Sequence, residues 1–240
     1  MKYTAVIFDV GDTLVSYVPS IKDQYAQRMK AYFGMSMSES MLQKMIDAAK
    51  QAEYQQLMRE WLGAPRMEDT PYLRMQIRAA LRATALPEET EELVDRFMDN
   101  PLSFDGKSVL PGVTDVLRTL KENGVRMGFV SNDAPKLREF LSERRLLEYF
   151  DTVVISGEEG IEKPDPRIMH LAMQRMAVSG ERTLYVGDHP FDVLCAKHAG
   201  MDCAWIASKE MALPHGMDVK EDYRIKGIED ILRILGIKNK

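Results

Sequence analysis

The chain has 240 residues, of which 45% are hydrophobic and 29% charged, and its formal net charge is -5. This length and composition suffice for the buried core of one large domain or two modest ones. The acidic balance disfavours a nucleic-acid surface, because affinity for a phosphate backbone comes mainly from clustered Lys and Arg. Cys195 and Cys203 lack the spacing of a metal site, which favours a reducing compartment and buried thiols.

The first predicted element is a buried strand, TAVIFDV, which contains Asp9 near its end. Its apolar run is too short for a signal peptide, because Asp9 and Asp12 interrupt it and no small-residue cleavage pattern follows. Nowhere does the chain have the ~18 consecutive apolar residues that would span a bilayer. We therefore expect a cytoplasmic protein that binds no membrane and no nucleic acid.

Residues 16–106 differ from the rest of the chain because they show no strand pattern. Apolar residues at helical spacing predict four helices. They cover about 19–34, 38–61, a segment that begins after the Thr70–Pro71 pair and runs through Leu81, and 88–99. Thr70 and Pro71 are typical of a helix cap and its first turn. We interpret this region as a helical insertion packed as a small bundle.

From about residue 109 onward, helix-like and strand-like segments alternate. The predicted strands are VRMGFVSN, FDTVVISG, RTLYVGD and MDCAWIA, each preceded by an amphipathic helical segment. Such alternation produces a parallel sheet with helices on both faces. We expect TAVIFDV to join this sheet, although nearly a hundred residues separate it from the other strands.

Polar groups stand at several of these strand ends, where parallel α/β sheets bind their ligands. The candidate site residues are Asp9, Gly11, Asp12 and Thr13 after the first strand, Ser131 and Asn132 after the second, Lys163 in the loop GIEKPDP, and Asp188 with Asp192 in VGDHPFD. Each alone has a structural explanation, as a helix cap, a turn or a solvated side chain. Their joint placement at one edge of a predicted sheet favours an active site.

In this order, FDVGDTL, VSN, EKPDP and VGDHPFD resemble the four motifs of the haloacid dehalogenase superfamily, whose hydrolases and phosphatases use an Asp nucleophile. The resemblance covers the whole chain. It implies an α/β fold with a Rossmann-like, doubly wound parallel sheet as the catalytic core, formed by residues 1–15 and 107–240. Residues 16–106 occupy the place where this family inserts a helical cap, of type C1.

By this resemblance, the chain is a Mg²⁺-dependent phosphatase that acts on a small phosphorylated metabolite. Asp9 would attack phosphorus and form an aspartyl phosphate. Oxygen ligands suit Mg²⁺, and the resemblance assigns them to Asp9, the Gly11 carbonyl, Asp188 and, as a ligand or a supporting acceptor, Asp192.

The remaining candidates would serve the phosphoryl group. Lys163 would neutralise charge on the phosphate and the nucleophile, and Ser131 with the Asn132 backbone N–H would bind a phosphate oxygen. Thr13 would brace the loop beside the substrate. The sequence indicates neither the physiological substrate nor the oligomeric state.

One position departs from the family pattern. Phosphatases of this family carry a second Asp as general acid and base where this chain has Gly11. Three interpretations are open. Asp12 acts as the general acid and base in place of the missing Asp, or Asp12 only stabilises the loop. In the third interpretation the protein is a weakened catalyst that binds phosphate or a partner. We favour the loop-stabilising role for Asp12, and His189 is a less favoured proton carrier.

Other branches of the family also lack the second Asp. Phosphonatase-like and dehalogenase-like hydrolases are therefore further alternatives to a phosphatase. The GD pair of the fourth motif, which contains Asp188, favours a metal site and so disfavours the metal-independent dehalogenases.

Overall fold

The computed structural model describes residues 2–61, 63–65, 67–84, 91–99, 106–207, 213 and 218–238. The chain divides into two compact units, one formed by Met1–Ser16 with Val109–Lys240 and the other by Tyr17–Ser108. We call the first the α/β unit and the second the helical unit.

The strands and helices are numbered in chain order. The strands are β1 (Ala5–Phe8), β2 (Val15–Tyr17), β3 (Lys107–Val109), β4 (Arg126–Ser131), β5 (Thr152–Ile155), β6 (Thr183–Gly187), β7 (Asp202–Ile206) and β8 (Tyr223–Ile225). The helices are α1 (Ile21–Phe33), α2 (Glu39–Trp61), α3 (Asp69–Arg82), α4 (Glu91–Asp99), α5 (Val113–Glu122), α6 (Leu137–Glu143), α7 (Ser156–Glu159), α8 (Arg167–Met176), α9 (Pro190–His198) and α10 (Asp230–Ile234).

A six-stranded parallel sheet in the order β5-β4-β1-β6-β7-β8 forms the centre of the α/β unit, which confirms the predicted fold class. As expected, β1 joins the later strands, with Ala5 in register with Arg126 of β4 and Thr183 of β6. The strand order reverses direction at β1. Ligand sites form at such a reversal, outside the carboxyl ends of the strands.

Both faces of the sheet are buried, which explains why its strands are almost continuously apolar. Val6 and Phe8 of β1 pack on one face with residues of α5, α6 and α10. Ala5 and Ile7 point to the other face, where α8 and α9 cover the sheet. Because helices pack on both faces of the sheet, the position of β1 is fixed, and so is the position of Asp9, which follows Phe8.

The strands that the sequence did not predict are the shortest ones. β2, β3 and β8 have three residues each, too few for a recognisable pattern. β2 and β3 pair with each other in a separate two-stranded sheet. Because β2 reaches Tyr17, the prediction that residues 16–106 contain no strand is wrong at that end.

The helical unit contains α1 to α4 around an apolar core that includes Tyr25, Met29, Met45, Ile77 and Phe97. The predicted start of the fourth helix, at 88–90, lies outside the described residues, and α4 begins at Glu91.

The predicted cap of the third helix is wrong. Glu68 is the N-cap of α3, and Thr70 lies inside its first turn. Pro is tolerated in a first turn, so Pro71 does not fix the first residue of the helix. None of the helices in the described parts of the chain combines the length and apolar character needed to cross a membrane.

Candidate active site

Asp9 follows directly after β1, at the carboxyl edge of the sheet. Its backbone N–H donates to the Val186 carbonyl at 2.8 Å, which extends the pairing of β1 with β6 by one residue. Asp9 is 6% exposed. The central strand therefore presents a buried carboxylate at the place where the strand order reverses.

A tight turn carries the chain away from Asp9. The backbone N–H groups of Leu14 and Val15 both donate to the Val10 carbonyl, at 2.9 and 3.0 Å, and the Asp12 N–H donates to Val15 at 2.7 Å. Asp12 is exposed and has a φ of 52°, in the left-handed region that Asp tolerates better than most residues. These features support a role in shaping the turn.

The neighbours of Asp12 differ from it in burial. Gly11 is partly buried and forms a bridge to Val15. Thr13, expected to brace the loop, is buried, but its Oγ1 has no hydrogen-bond partner among the residues that the structure describes.

The ammonium group of Lys163 lies in the centre of the site. Its Nζ donates to Asp9 Oδ1 at 2.6 Å, to Asp192 Oδ1 at 2.7 Å and to the Tyr185 hydroxyl at 3.2 Å. Lys163 is 5% exposed, and these acceptors match the three protons that an ammonium group carries.

The loop that carries Lys163 is fixed by Asn132. The Asn132 side chain donates to the Lys163 carbonyl at 2.9 Å and accepts from the Lys163 N–H at 2.8 Å. Asn132 was predicted to bind substrate through its backbone, and the structure adds this side-chain role. Ser131, the last residue of β4, is 3% exposed.

Asp192 is fully buried in the first turn of α9. Its Oδ2 accepts from the His189 backbone N–H at 2.9 Å, and its Oδ1 accepts from Lys163 and from the Tyr185 hydroxyl, the latter at 2.9 Å. Both carboxylate oxygens are thus engaged by protein donors. This favours Asp192 as an acceptor that holds neighbouring groups of the site, rather than as a direct metal ligand.

Gly187, the last residue of β6, lets Asp192 approach this closely. A Cβ at position 187 would lie 2.3 Å from Asp192 Oδ2. Atoms cannot approach to that distance without displacement. The following residue, Asp188, is partly exposed, and its carbonyl accepts from Trp205 Nε1 at 2.8 Å.

Asp9, Asp188 and Asp192 bring three carboxylate oxygens within 4.8 Å of one another. Lys163 contributes one positive charge to this cluster, which leaves an excess of negative charge that a divalent cation would balance. Oxygen donors are the ligands that Mg²⁺ prefers. The residues present therefore fit a Mg²⁺ site, in which Asp9 and Asp188 would be the acidic ligands.

Electrostatic conditions differ between the members of the site. Burial raises the pKa of Asp9 to about 7; Lys163 opposes this change, and Asp192 and Asp188 add to it. Burial alone would lower the pKa of Lys163, but Asp192 and Asp9 raise it above its ordinary value, so Lys163 stays charged. Burial also raises the pKa of Tyr185, which remains a hydroxyl donor.

Sequence reasoning missed Tyr185 and the packing role of Gly187. A signal for Tyr185 exists in the strand TLYVG, because a tyrosine hydroxyl within a buried strand needs a hydrogen-bond partner. Gly187 belongs to the GD pair of the fourth motif, but its packing role has no signal in the sequence, because it depends on how closely α9 approaches β6.

The chain is similar in sequence to known proteins over most of its length. The family model described as haloacid dehalogenase-like hydrolase matches residues 3–200. The chain is 29% identical over 237 residues to phosphoglycolate phosphatase 1 of Pseudomonas aeruginosa, covering 96% of this chain and 78% of that one. It is 30% identical over 164 residues to phosphoserine phosphatase of Thermus thermophilus, covering 67% and 64% of the two chains.

A solved structure shows the same fold. The HAD-hydrolase YfnB of Bacillus subtilis, solved with bound magnesium, superposes with a TM-score of 0.67 over 99% of this chain and 100% of that one. At 18% sequence identity, this likeness is evidence for the fold alone.

Proposed function

The chain belongs to the haloacid dehalogenase-like hydrolases, and from this premise we propose that it is a Mg²⁺-dependent phosphatase of small phosphorylated metabolites. The observation that carries the proposal is the buried Asp9 carboxylate, held at 2.6 Å by Lys163 beside Asp188 and Asp192. The relatives named as phosphoglycolate and phosphoserine phosphatases support the same reaction class.

The proposed reaction begins at Asp9. Lys163 donates to Oδ1 of its carboxylate at 2.6 Å, and this contact would orient the group so that one oxygen faces the phosphorus atom. A bond forms between that oxygen and phosphorus while the bond from phosphorus to the leaving oxygen breaks. Water then hydrolyses the aspartyl phosphate, which releases phosphate and restores Asp9.

Other residues of the α/β unit would stabilise the phosphoryl group. The Ser131 hydroxyl, at the end of β4, and the backbone N–H of Asn132, the next residue, would donate to its oxygens. Mg²⁺ held by Asp9, Asp188 and the Gly11 carbonyl would supply positive charge to the phosphate oxygens. Lys163 lies 2.6 Å from Asp9 and 2.7 Å from Asp192, and it opposes the rise in the pKa of Asp9, which favours the ionised form that acts as a nucleophile.

A second candidate function is a phosphate-binding protein with weak turnover. It is favoured by the absence of a side chain at position 11 together with the exposure of Asp12. A metal-independent dehalogenase is less well supported, because Asp188 lies within the carboxylate cluster. We also propose a cytoplasmic location, which agrees with the two buried free cysteines, Cys195 and Cys203.

A substrate panel tests the proposal. Phosphate release would be measured from phosphorylated metabolites, including phosphoglycolate and phosphoserine, with and without Mg²⁺, for the wild type and for Asp9→Asn. We expect Mg²⁺-dependent release by the wild type and none by Asp9→Asn, whose side chain keeps its volume but is not a nucleophile. Undiminished release by Asp9→Asn would remove Asp9 from its role. Binding of inorganic phosphate without turnover of any compound would favour the second candidate.

A further inference from the structure

The hydroxyl of Tyr185 lies between two charged groups of the site. It accepts from Lys163 Nζ at 3.2 Å and donates to Asp192 Oδ1 at 2.9 Å. The aromatic ring is fully buried in β6, and the Val130 carbonyl lies 3.5 Å from the hydroxyl as a distant second acceptor. The phenol oxygen is therefore a rigid point, because the strand fixes the backbone and core packing fixes the ring.

The Tyr185 hydroxyl oxygen is the third hydrogen-bond acceptor of the Lys163 ammonium group. Two protons of the ammonium group point to carboxylates, and Tyr185 receives the third. Without the hydroxyl, one buried N–H would lose its acceptor and Asp192 would lose a donor. A buried ammonium group with an unsatisfied proton turns toward other acceptors, since an unpaired buried donor is costly.

The direction of the ammonium group matters because Lys163 holds the Asp9 carboxylate. A nucleophile must approach phosphorus within a narrow range of distance and angle, and small displacements slow the reaction strongly. We propose that Tyr185 is a positioning residue, whose hydroxyl sets the direction of the Lys163 ammonium and thereby the orientation of Asp9. The effect on turnover rests on the proposed function, whereas the effect on Lys163 does not.

Tyr3 offers a matched control on the same sheet. It is also a buried tyrosine, 1% exposed, and its hydroxyl donates to Asp202 Oδ2 at 2.6 Å and lies 2.8 Å from the Tyr223 hydroxyl. Tyr3 precedes β1, so it stands at the edge of the sheet opposite to Asp9. Tyr3→Phe removes a buried hydroxyl with a carboxylate partner without touching the candidate site.

The first measurement compares kcat, KM and melting temperature for the wild type, Tyr185→Phe and Tyr3→Phe with p-nitrophenyl phosphate and saturating Mg²⁺. Loss of a hydroxyl that hydrogen-bonds to two charged groups predicts that Tyr185→Phe lowers kcat about tenfold. KM should stay within about twofold, because the loss falls on the transition state. Tyr3→Phe should lower the melting temperature and leave kcat unchanged. An unchanged kcat in Tyr185→Phe, or an equal fall in both variants, would overturn the proposal.

The second measurement does not need turnover. The protein is labelled with ¹⁵N-lysine, and the NMR signal of the Lys163 ammonium group is assigned by its absence in Lys163→Met. This signal reports how fast the ammonium protons exchange with water. Loss of one acceptor should speed this exchange about tenfold in Tyr185→Phe and leave it unchanged in Tyr3→Phe. Equal exchange in the wild type and Tyr185→Phe would refute the positioning role. A wild type that hydrolyses no phosphate ester would count against the proposed function only, since the exchange rates would still decide the role of Tyr185.

Discussion

At the scale of single residues, the proposed function makes Gly11 and Asp12 the positions that bear on how a leaving group would depart. Breaking the bond between phosphorus and the leaving oxygen puts negative charge on that oxygen. An alkyl leaving group then needs a proton donor, whereas an aryl or acyl leaving group tolerates the charge. Gly11 has no side chain to donate a proton, and Asp12 is exposed in a left-handed turn conformation.

We therefore expect the wild type to prefer aryl and acyl phosphates over alkyl phosphates. Gly11→Asp should raise kcat/KM for an alkyl phosphate ~10²-fold more than for p-nitrophenyl phosphate, which is within the range of general acid catalysis. The measurement is kcat/KM for both substrates in both proteins.

Asp12→Asn is the control for this experiment, and it should have little effect on either substrate if Asp12 only shapes the turn. A wild type without leaving-group preference, together with a selective loss of alkyl phosphate hydrolysis in Asp12→Asn, would show that Asp12 is the proton donor.

At the scale of elements, the contact between β6 and α9 depends on Gly187. A Cβ there would lie 2.3 Å from Asp192 Oδ2. Gly187→Ala should therefore displace Asp192, weaken its hold on Lys163 and lower kcat at least tenfold, while overpacking costs ~1–3 kcal/mol of stability.

Gly128→Ala is the matched control, because its Cβ would lie 2.7 Å from both Met176 Sδ and Thr152 Cγ2, which are not members of the site. It should lose stability and retain kcat. Equal kcat values for the two variants, measured on folded protein, would contradict the importance of the Gly187–Asp192 approach.

Asp202, the first residue of β7, should make the stability of the fold depend on pH. Burial raises the pKa of Asp202, but hydrogen bonds from Lys2 and Tyr3 outweigh it and lower the pKa to about 2, below the ordinary 3.8. A carboxyl group with a lower pKa in the folded state stabilises the fold above pH ~4 and loses that contribution as the pH falls toward 2. Because Asp202 is partly exposed, we expect a contribution of ~1 kcal/mol.

Urea unfolding of the wild type and Asp202→Asn at pH 7, 4 and 2 measures this contribution. The wild type should be more stable at pH 7, and the difference should vanish near pH 2. A difference of the same size at all pH values would show that the charge of Asp202 is not responsible.

The elements also show what the sequence can and cannot predict. The five predicted strands are long apolar runs, and burial on both faces of a sheet produces that pattern. β8 has three residues and is defined by its pairing with β7, which no local pattern reports. Likewise, Glu68 caps α3 although its side chain makes no capping hydrogen bond, so the usual cap signal is absent there.

Some residues of the candidate site can be predicted from the sequence and others cannot. Asp9, Lys163 and Asp188 are charged residues at strand ends or in loops, and they stand out in a sequence. The roles of Tyr185 and of the Asn132 side chain depend on Lys163 approaching from a distant part of the chain. Such contacts arise only when the sheet is assembled, so reasoning along the sequence does not reach them.

At the scale of the whole molecule, the proposed metal site would couple metal binding to stability. Asp9, Asp188 and Asp192 repel one another in the folded state, and a bound divalent cation relieves that repulsion. Mg²⁺ at about 100 times its dissociation constant should stabilise the wild type by about 2.7 kcal/mol.

Asp188→Ala should remove most of this stabilisation and, without Mg²⁺, should be at least as stable as the wild type. Thermal unfolding of both proteins with increasing MgCl₂, against NaCl of equal ionic strength, measures the effect. An equal Mg²⁺-dependent rise in melting temperature in both proteins would exclude Asp188 as a ligand.

The position of β1 in the sheet has a consequence for synthesis on the ribosome. β1 leaves the ribosome before its partners β4 and β6, whose Arg126 and Thr183 align with Ala5. The nascent chain must therefore keep the apolar β1 segment unpaired while the helical unit, whose contacts are more local, is translated. Long-range pairing of this kind is slow and exposes the unpaired segment to aggregation. We expect Asp9, the proposed nucleophile, to reach its final surroundings only after β6 and α9 have been translated, so that activity is acquired late in translation.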